Sequence, residues 1–211
     1  PINNSLSKNQ ILQIYKFTKP NLVFFSNEFN FLKKNIKLDK LQSDKNLFKV
    51  DCLKNGYKFI NQSLSSKFTN KDFIITFSSG TTSSPKPILY TQKIKYERYL
   101  HIKNIYKINK NDNILLTSPV DHSLGQRIVF LATLTGCNLV YLQKYNKKNF
   151  KKFIRDERIS FSILSSNYIN LMKKDLISKR IKIKKIVSAA STLSPKDKLD
   201  FKKSSIKLYE M

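Results

Sequence analysis

Short apolar runs alternate along this chain with longer stretches whose apolar residues recur every three or four positions. The runs at 22–25, 73–77, 114–117, 139–142, 161–164, 186–188 and 206–209 are rich in Val, Ile, Leu and Phe and have the length of strands. Helical periodicity occupies 10–17, 94–106, 124–134, 150–155, 168–176 and 196–202. Strands that alternate with single helices need crossover connections. The pattern therefore predicts an α/β fold, a mostly parallel sheet with helices on both faces. Sites in such sheets lie outside the carboxyl ends of the strands. The stretch 30–71, with polar Lys, Asn and Ser around Phe48-Lys49-Val50, reads as a linker and peripheral layer. No internal repeat is visible.

Three of the predicted strands end in segments that carry chemistry. The first is Phe77-Ser-Ser-Gly-Thr-Thr-Ser-Ser-Pro-Lys-Pro87, where every position from 78 to 84 except Gly80 bears a hydroxyl. Backbone N–H groups of such a loop can form an anion-binding concavity, hydroxyls add neutral donors, and Lys86 adds a point charge. Neither Gly-x-x-x-x-Gly-Lys-[Ser/Thr] nor Gly-x-Gly-x-x-Gly fits, because Gly80 stands alone and Pro87 follows Lys86. On residue chemistry alone the run also reads as a solvated turn. The second segment, Leu115-Leu-Thr-Ser-Pro-Val-Asp-His-Ser-Leu-Gly125, puts His122 just past a strand, where histidines are commonly structural. The third, Ile186-Val-Ser-Ala-Ala-Ser-Thr-Leu-Ser-Pro195, offers small residues against which a flat ring could lie. It is equally a strand-to-helix turn, with Ser194 as N-cap, Pro195 at the first helical position and Asp197 in the first turn.

The first run resembles the signature loop of the AMP-forming adenylating enzymes, the superfamily of acyl-CoA synthetases, luciferases and peptide-synthetase adenylation domains. That signature looks like Thr-Ser-Gly-Thr-Thr-Gly-x-Pro-Lys-Gly, and this chain keeps Ser79, Gly80, Thr81, Thr82, Pro85 and Lys86. It departs at Ser83 and Pro87, where the family carries glycine. The second segment resembles the family's Pro-x-x-His-x-x-Gly, and the third its small-residue loop beside adenine. The resemblance implies that residues 1–211 are part of the large N-terminal domain of an adenylating enzyme, with the C-terminal domain absent. Family members continue past the strand at 206–209 into Tyr-Gly-x-Thr-Glu, an adenine-stacking and Mg²⁺-binding motif that would follow Met211. A sheet cut at that strand would leave an apolar edge, so the 211-residue chain alone is expected to be prone to aggregation.

The resemblance also implies a reaction: ATP-dependent activation of a small-molecule carboxylic acid to an acyl-adenylate, with release of pyrophosphate. Transfer to a thiol follows, either CoA or a phosphopantetheine carrier. Lys86 and Thr81 would be catalytic positions. Ser78, Ser79, Gly80, Thr81, Thr82, Ser83, Ser84 and Lys86 would hold the phosphates, with Mg²⁺ bridging phosphate oxygens. Ala190, Ser191 and Thr192 would lie against the nucleotide, and His122 and Gly125 would line the acid pocket. The alternative is a truncated, inactive or partner-dependent nucleotide-binding remnant.

Composition bounds these readings. With 211 residues, 40% of them hydrophobic, the chain can bury the core of one domain. Cys52 and Cys137 have no metal-ligand spacing and suit a reducing, cytoplasmic setting. No apolar run is long enough to span a bilayer. The net charge of +26 raises a third reading, a basic nucleic-acid-binding protein. Against it, the arginines are only Arg98, Arg127, Arg155, Arg158 and Arg180, and the lysines are dispersed among Asn and Ile. No nucleic-acid partner is expected.

Overall fold

The structure, a computed structural model, describes residues 2, 6–20, 23–25, 31–32, 41–43, 70–78, 85–142, 147–177, 183–189 and 192–211. The chain divides into two compact units, one of residues 2–68 and 77–89, the other of residue 1 with 69–76 and 90–211.

In the first unit, α1 (Lys8–Thr18) starts with a capping box. Ser7 Oγ accepts from the Gln10 amide at 3.3 Å, and Gln10 Oε1 accepts from the Ser7 amide at 2.9 Å. Its Ile11 and Ile14 are buried, and Ile11 packs in a small cluster with Leu32. β1 (Val23–Phe25) pairs in parallel with β2 (Leu41–Ser43). β2 falls inside the stretch read from sequence as a linker, and the rest of 44–69 lies outside the described residues.

β3 (Asp72–Ser78) and β4 (Lys86–Thr91) form a two-stranded sheet, and the boundary between the units passes through both strands. β4 corrects the expectation that the hydroxyl-rich loop runs straight into a helix. Its second residue is Pro87, which removes a ladder donor and is tolerated in strands only at edges. Its apolar Ile88 and Leu89 are exposed, so no alternation marked it. Thr91 then caps α2 (Gln92–Tyr106), its Oγ1 accepting from the Ile94 amide at 3.3 Å.

The second unit is built on five parallel strands in the order β6-β5-β7-β8-β9. The chain runs β5 (Asn113–Leu116), α3 (Ser123–Thr135), β6 (Asn138–Tyr141), α4 (Lys147–Asp156), β7 (Phe161–Ser165), α5 (Ser166–Ile177), β8 (Lys185–Ala189), α6 (Pro195–Lys202), β9 (Lys207–Glu210). Alternating side chains serve two cores. Ile114, Leu116, Phe161, Ile163, Val187 and Ala189 pack with Tyr99, Ile102 and Tyr106 of α2 and Ile128 and Leu131 of α3. Leu115, Leu164 and Ile186 pack with Phe150 and Ile154 of α4, Ile169 and Leu176 of α5 and Phe201 of α6. The helices on both faces are those expected from the strand and helix alternation. Ser194 caps α6 as read, accepting from the Asp197 amide at 3.1 Å. Lys173 of α5 pairs with Asp197 and with Asp200 of α6, at 2.6 Å in the second case. Among the described residues, no helix is long and apolar enough to cross a membrane.

Candidate functional site

β5 is the strand at which the sheet changes direction. β6 is laid down on one side of it and β7 on the other, so a crevice opens over the carboxyl ends of β5 and β7. The turn after β5 is closed by the His122 amide donating to the Pro119 carbonyl at 3.1 Å. α3 follows at once, with the Gln126 amide donating to the His122 carbonyl at 3.0 Å. Gly125 makes this junction possible. A Cβ there would sit 2.0 Å from the Pro119 carbonyl oxygen and 2.9 Å from that of Ser118, so any side chain would push the helix off the turn. His122 is exposed, its Nε2 3.4 Å from the Asp121 carboxylate.

Two strands away, β8 ends in Ser188 and Ala189, both buried, and the Ser188 hydroxyl has no hydrogen-bond partner among the described residues. The loop beyond is tied to the end of β9. Glu210 Oε1 accepts from the Leu193 amide at 3.1 Å, and its other oxygen pairs with Lys198 at 2.6 Å. That ion pair, and then the Leu193 amide, hold the Glu210 carboxyl below its ordinary range. Thr192 is exposed, while Ala190 and Ser191 lie outside the described residues. The structure thus brings the segments after β5 and β8 to one sheet edge. Of the hydroxyl-rich run, Ser78 ends β3 and the exposed Lys86 opens β4. Ser79, Gly80, Thr81, Thr82, Ser83 and Ser84 lie outside the described residues.

Beside this edge, α2 and α3 present a group of cations that the sequence reading did not single out. Lys95 is 7% exposed. Its Nζ donates to Gln126 Oε1 at 3.0 Å and stands 4.1 Å from the centre of the Tyr90 ring. The Arg98 guanidinium carbon lies 4.8 Å from the same ring, a cation–π distance. Arg127, from the first turns of α3, donates to the neutral Met211 sulfur at 2.9 Å. Among the described residues, no carboxylate lies within ion-pair distance of Lys95, Arg98 or Arg127. Burial first, then the charges of Arg98 and Arg127, push the Lys95 ammonium down to about 8. Burial and Arg98 likewise lower Arg127. Gln126 is 3% exposed, and its Nε2 has no acceptor among the described residues. Lys95, Arg98, Ser123 and Arg127 line a small cavity of about 10 Å³. Arg98 and Arg127 also border a wider cleft of about 480 Å³, walled further by Glu97, His101, Ile102, Ile105, Tyr106 and Met211. The i, i+3 spacing of Lys95 and Arg98 on one helix was a readable signal. That Gln126 and Arg127 would face them from another helix was not.

The comparisons with known proteins agree with this architecture. The 2-succinylbenzoate–CoA ligase of Staphylococcus aureus is 24% identical over 120 residues, 57% of this chain and 24% of the ligase. The N-terminal domain of FACL13 from Mycobacterium tuberculosis superposes with a TM-score of 0.78 at 14% identity, covering 100% of this chain and 55% of that one. O-succinylbenzoate coenzyme A synthetase from Bacillus subtilis, in complex with AMP, gives 0.70 at 16% identity, covering 98% and 52%. The chain therefore spans about half the length of these solved relatives, whose identity level speaks for the fold alone. The family profile described as AMP-binding enzyme matches residues 1–211, from one end of this sequence to the other, and the chain belongs to that family.

Proposed function

We propose that this chain forms part of an enzyme that activates a carboxylic acid with ATP and passes the acyl group to a thiol. The observation that carries the reading is the Ser78–Lys86 run, held between two strands, in a chain that the AMP-binding family profile matches throughout. The ligase relative from Staphylococcus aureus acts, by its name, on 2-succinylbenzoate and CoA, which supports an acid and a CoA-type thiol here.

Each part of the chain has a physical task in that reaction. Ser79, Gly80, Thr81, Thr82, Ser83 and Ser84, following Ser78, cradle the β- and γ-phosphates through backbone and hydroxyl donors. A carboxylate oxygen attacks the α-phosphorus as the bond to pyrophosphate breaks, and pyrophosphate leaves with the electron pair. Lys86 neutralises charge on that leaving group, and Thr81 donates to it. The segment after β8, with Ala190, Ser191 and Thr192, lies against the nucleotide, and Glu210 holds its far end through Leu193. His122 and Gly125 line the acid side. A thiolate then attacks the acyl carbonyl, and AMP departs. Among the described residues, no group of three or more His, Cys, Asp or Glu side chains is placed to hold a metal ion.

The test is ATP–pyrophosphate exchange by the full-length protein across a panel of aliphatic and aromatic acids. Exchange that depends on one class of acid supports the reading. Lys86→Ala is expected to lower that exchange by about 10²- to 10³-fold, the usual cost of removing one preorganised charge-stabilising group. Its circular dichroism should match wild type, since Lys86 is exposed. Exchange unchanged by Lys86→Ala would refute the role given to the loop. Nucleotide binding without exchange for any acid would replace the enzyme with a nucleotide-binding remnant.

A further inference from the structure

We propose that Arg98 and Arg127, backed by Lys95 and the Gln126 amide, form a binding site for an oxyanion group, a carboxylate or phosphate. Within the function proposed above, on which this assignment of its occupant rests, the site takes a second anionic group on the acid substrate.

Three observations converge on the site. First, two helices place Lys95, Arg98 and Arg127 around one small cavity with no carboxylate among the described residues to compensate them. Among the described residues, aromatic faces, the Gln126 amide oxygen and a thioether sulfur are the partners these cations have, and none of them cancels a charge. Elsewhere this chain pairs its half-buried lysine readily: Lys173 lies between Asp197 and Asp200. Second, Gln126 is almost wholly buried, gives its oxygen to Lys95 and, among the described residues, leaves its Nε2 donors without an acceptor. A buried amide donor left orphaned beside cations is what an incoming oxygen acceptor would satisfy. Third, Arg98 and Arg127 are shared between that cavity and the cleft of about 480 Å³. The two guanidiniums are thus reachable from the cleft, with Lys95 behind them. The remaining walls are mixed: Ile102, Ile105 and Tyr106 suit an aromatic or aliphatic body, while Glu97, His101 and Met211 complete the rim. An anion arriving there would also favour the protonated state of Lys95, which burial and its cationic neighbours oppose.

The experiment uses the full-length protein and two readouts. Thermal melting is followed with inorganic phosphate against potassium chloride of equal ionic strength, in wild type, Arg127→Gln and Arg127→Lys. Pyrophosphate exchange is compared between an aromatic diacid, such as phthalic acid, and its monomethyl ester. The expected result is phosphate protection in wild type, retained in part by Arg127→Lys and lost in Arg127→Gln. A preference for diacid over ester should fall about 10- to 100-fold in Arg127→Gln through KM, with kcat held, which is the scale of one charge-assisted hydrogen bond. Protection lost in Arg127→Gln with the diacid preference unchanged supports the anion site and assigns it to a phosphate group instead. No protection beyond chloride, or equal protection in wild type and Arg127→Gln, overturns the site. Failure of every acid in the exchange assay would refute the enzyme reading, while the phosphate arm still decides the site. If Arg127→Gln does not melt cooperatively, Arg98→Gln replaces it.

Discussion

Replacing Lys95 with methionine gives a quantity that can be worked from the structure. Lys95 is 7% exposed, and its ammonium is pushed from 10.5 down to about 8. The folded state therefore disfavours the charged form. The charged and titratable groups that face it are Arg98 on its own helix, Arg127 on α3 and Tyr90 on β4. Between pH 8 and 10.5 the unfolded chain holds a proton at this side chain that the folded chain has released, so folding stability rises with pH across that window. Below pH 8 both states are protonated and the full penalty applies. A depression from 10.5 to about 8 corresponds to about 3 kcal/mol. Methionine fills similar space without the charge, but it strands Gln126 Oε1, at a cost of about 1–3 kcal/mol. At pH 7 the variant should therefore match or exceed wild type. Its advantage should shrink by about 3 kcal/mol on going to pH 11, as wild type sheds its penalty. The assay is urea unfolding of the full-length pair by far-ultraviolet circular dichroism at fixed pH values from 7 to 11. The other lysines titrate identically in both proteins and cancel. A difference that stays constant to within about 0.5 kcal/mol across that range would show that Lys95 titrates normally and would refute the reasoning.

Two further substitutions probe the frame that holds the site. Gly125→Ala places a methyl group 2.0 Å from the Pro119 carbonyl oxygen and should destabilise the fold by about 2 kcal/mol or more, with acid-dependent exchange falling as α3 shifts. An unchanged melting midpoint would contradict the close approach. Lys173, and then Ser194, hold Asp197 below its ordinary value of 3.8, so its contribution is present above that value and lost as the pH falls through it into the depressed range. Asp197→Asn should therefore be less stable than wild type at pH 6, with the gap closing below pH 4. Parallel pH curves for the two proteins would rule that linkage out.

The five-stranded sheet and its helices were legible because their signals are local and strong. Val, Ile, Leu and Phe runs of strand length, Ser194 with Pro195, and Gly125 in the first turn of a helix each encode backbone geometry in a few residues. β4 was not legible. It opens with a charge and a proline, and exposes Ile88 and Leu89 on an isolated pair of strands, so neither alternation nor burial left a mark. The hydroxyl-rich loop was read from its order of residues, although residues 79–84 lie outside the described structure. The cation group was invisible for a different reason. Lys95 and Arg98 look like a solvated helix face until a second helix, 31 positions on from Lys95 at Gln126, covers them. A lysine in a chain of net charge +26 attracts no notice; its burial is a tertiary fact.

The strand order has a consequence for synthesis. β5 is made first of the five, yet it belongs in the interior, between β6 and β7. When Tyr141 has emerged, β5 and β6 can pair, but the other side of β5 waits for Phe161–Ser165. From residue 141 to 165 is 24 residues, which at roughly 5–20 residues per second leaves Ile114, Leu115 and Leu116 with one bare backbone edge for about 1–5 s. α2, already synthesised, can cover Ile114 and Leu116 during that interval. Leu115 must wait for α4 and α5, which bracket β7 itself. The nascent chain thus passes through a stage with one greasy face and one open strand, and the window closes only as β7 docks. Slowing translation between codons 141 and 165 should lengthen that stage and divert more of the product to chaperones.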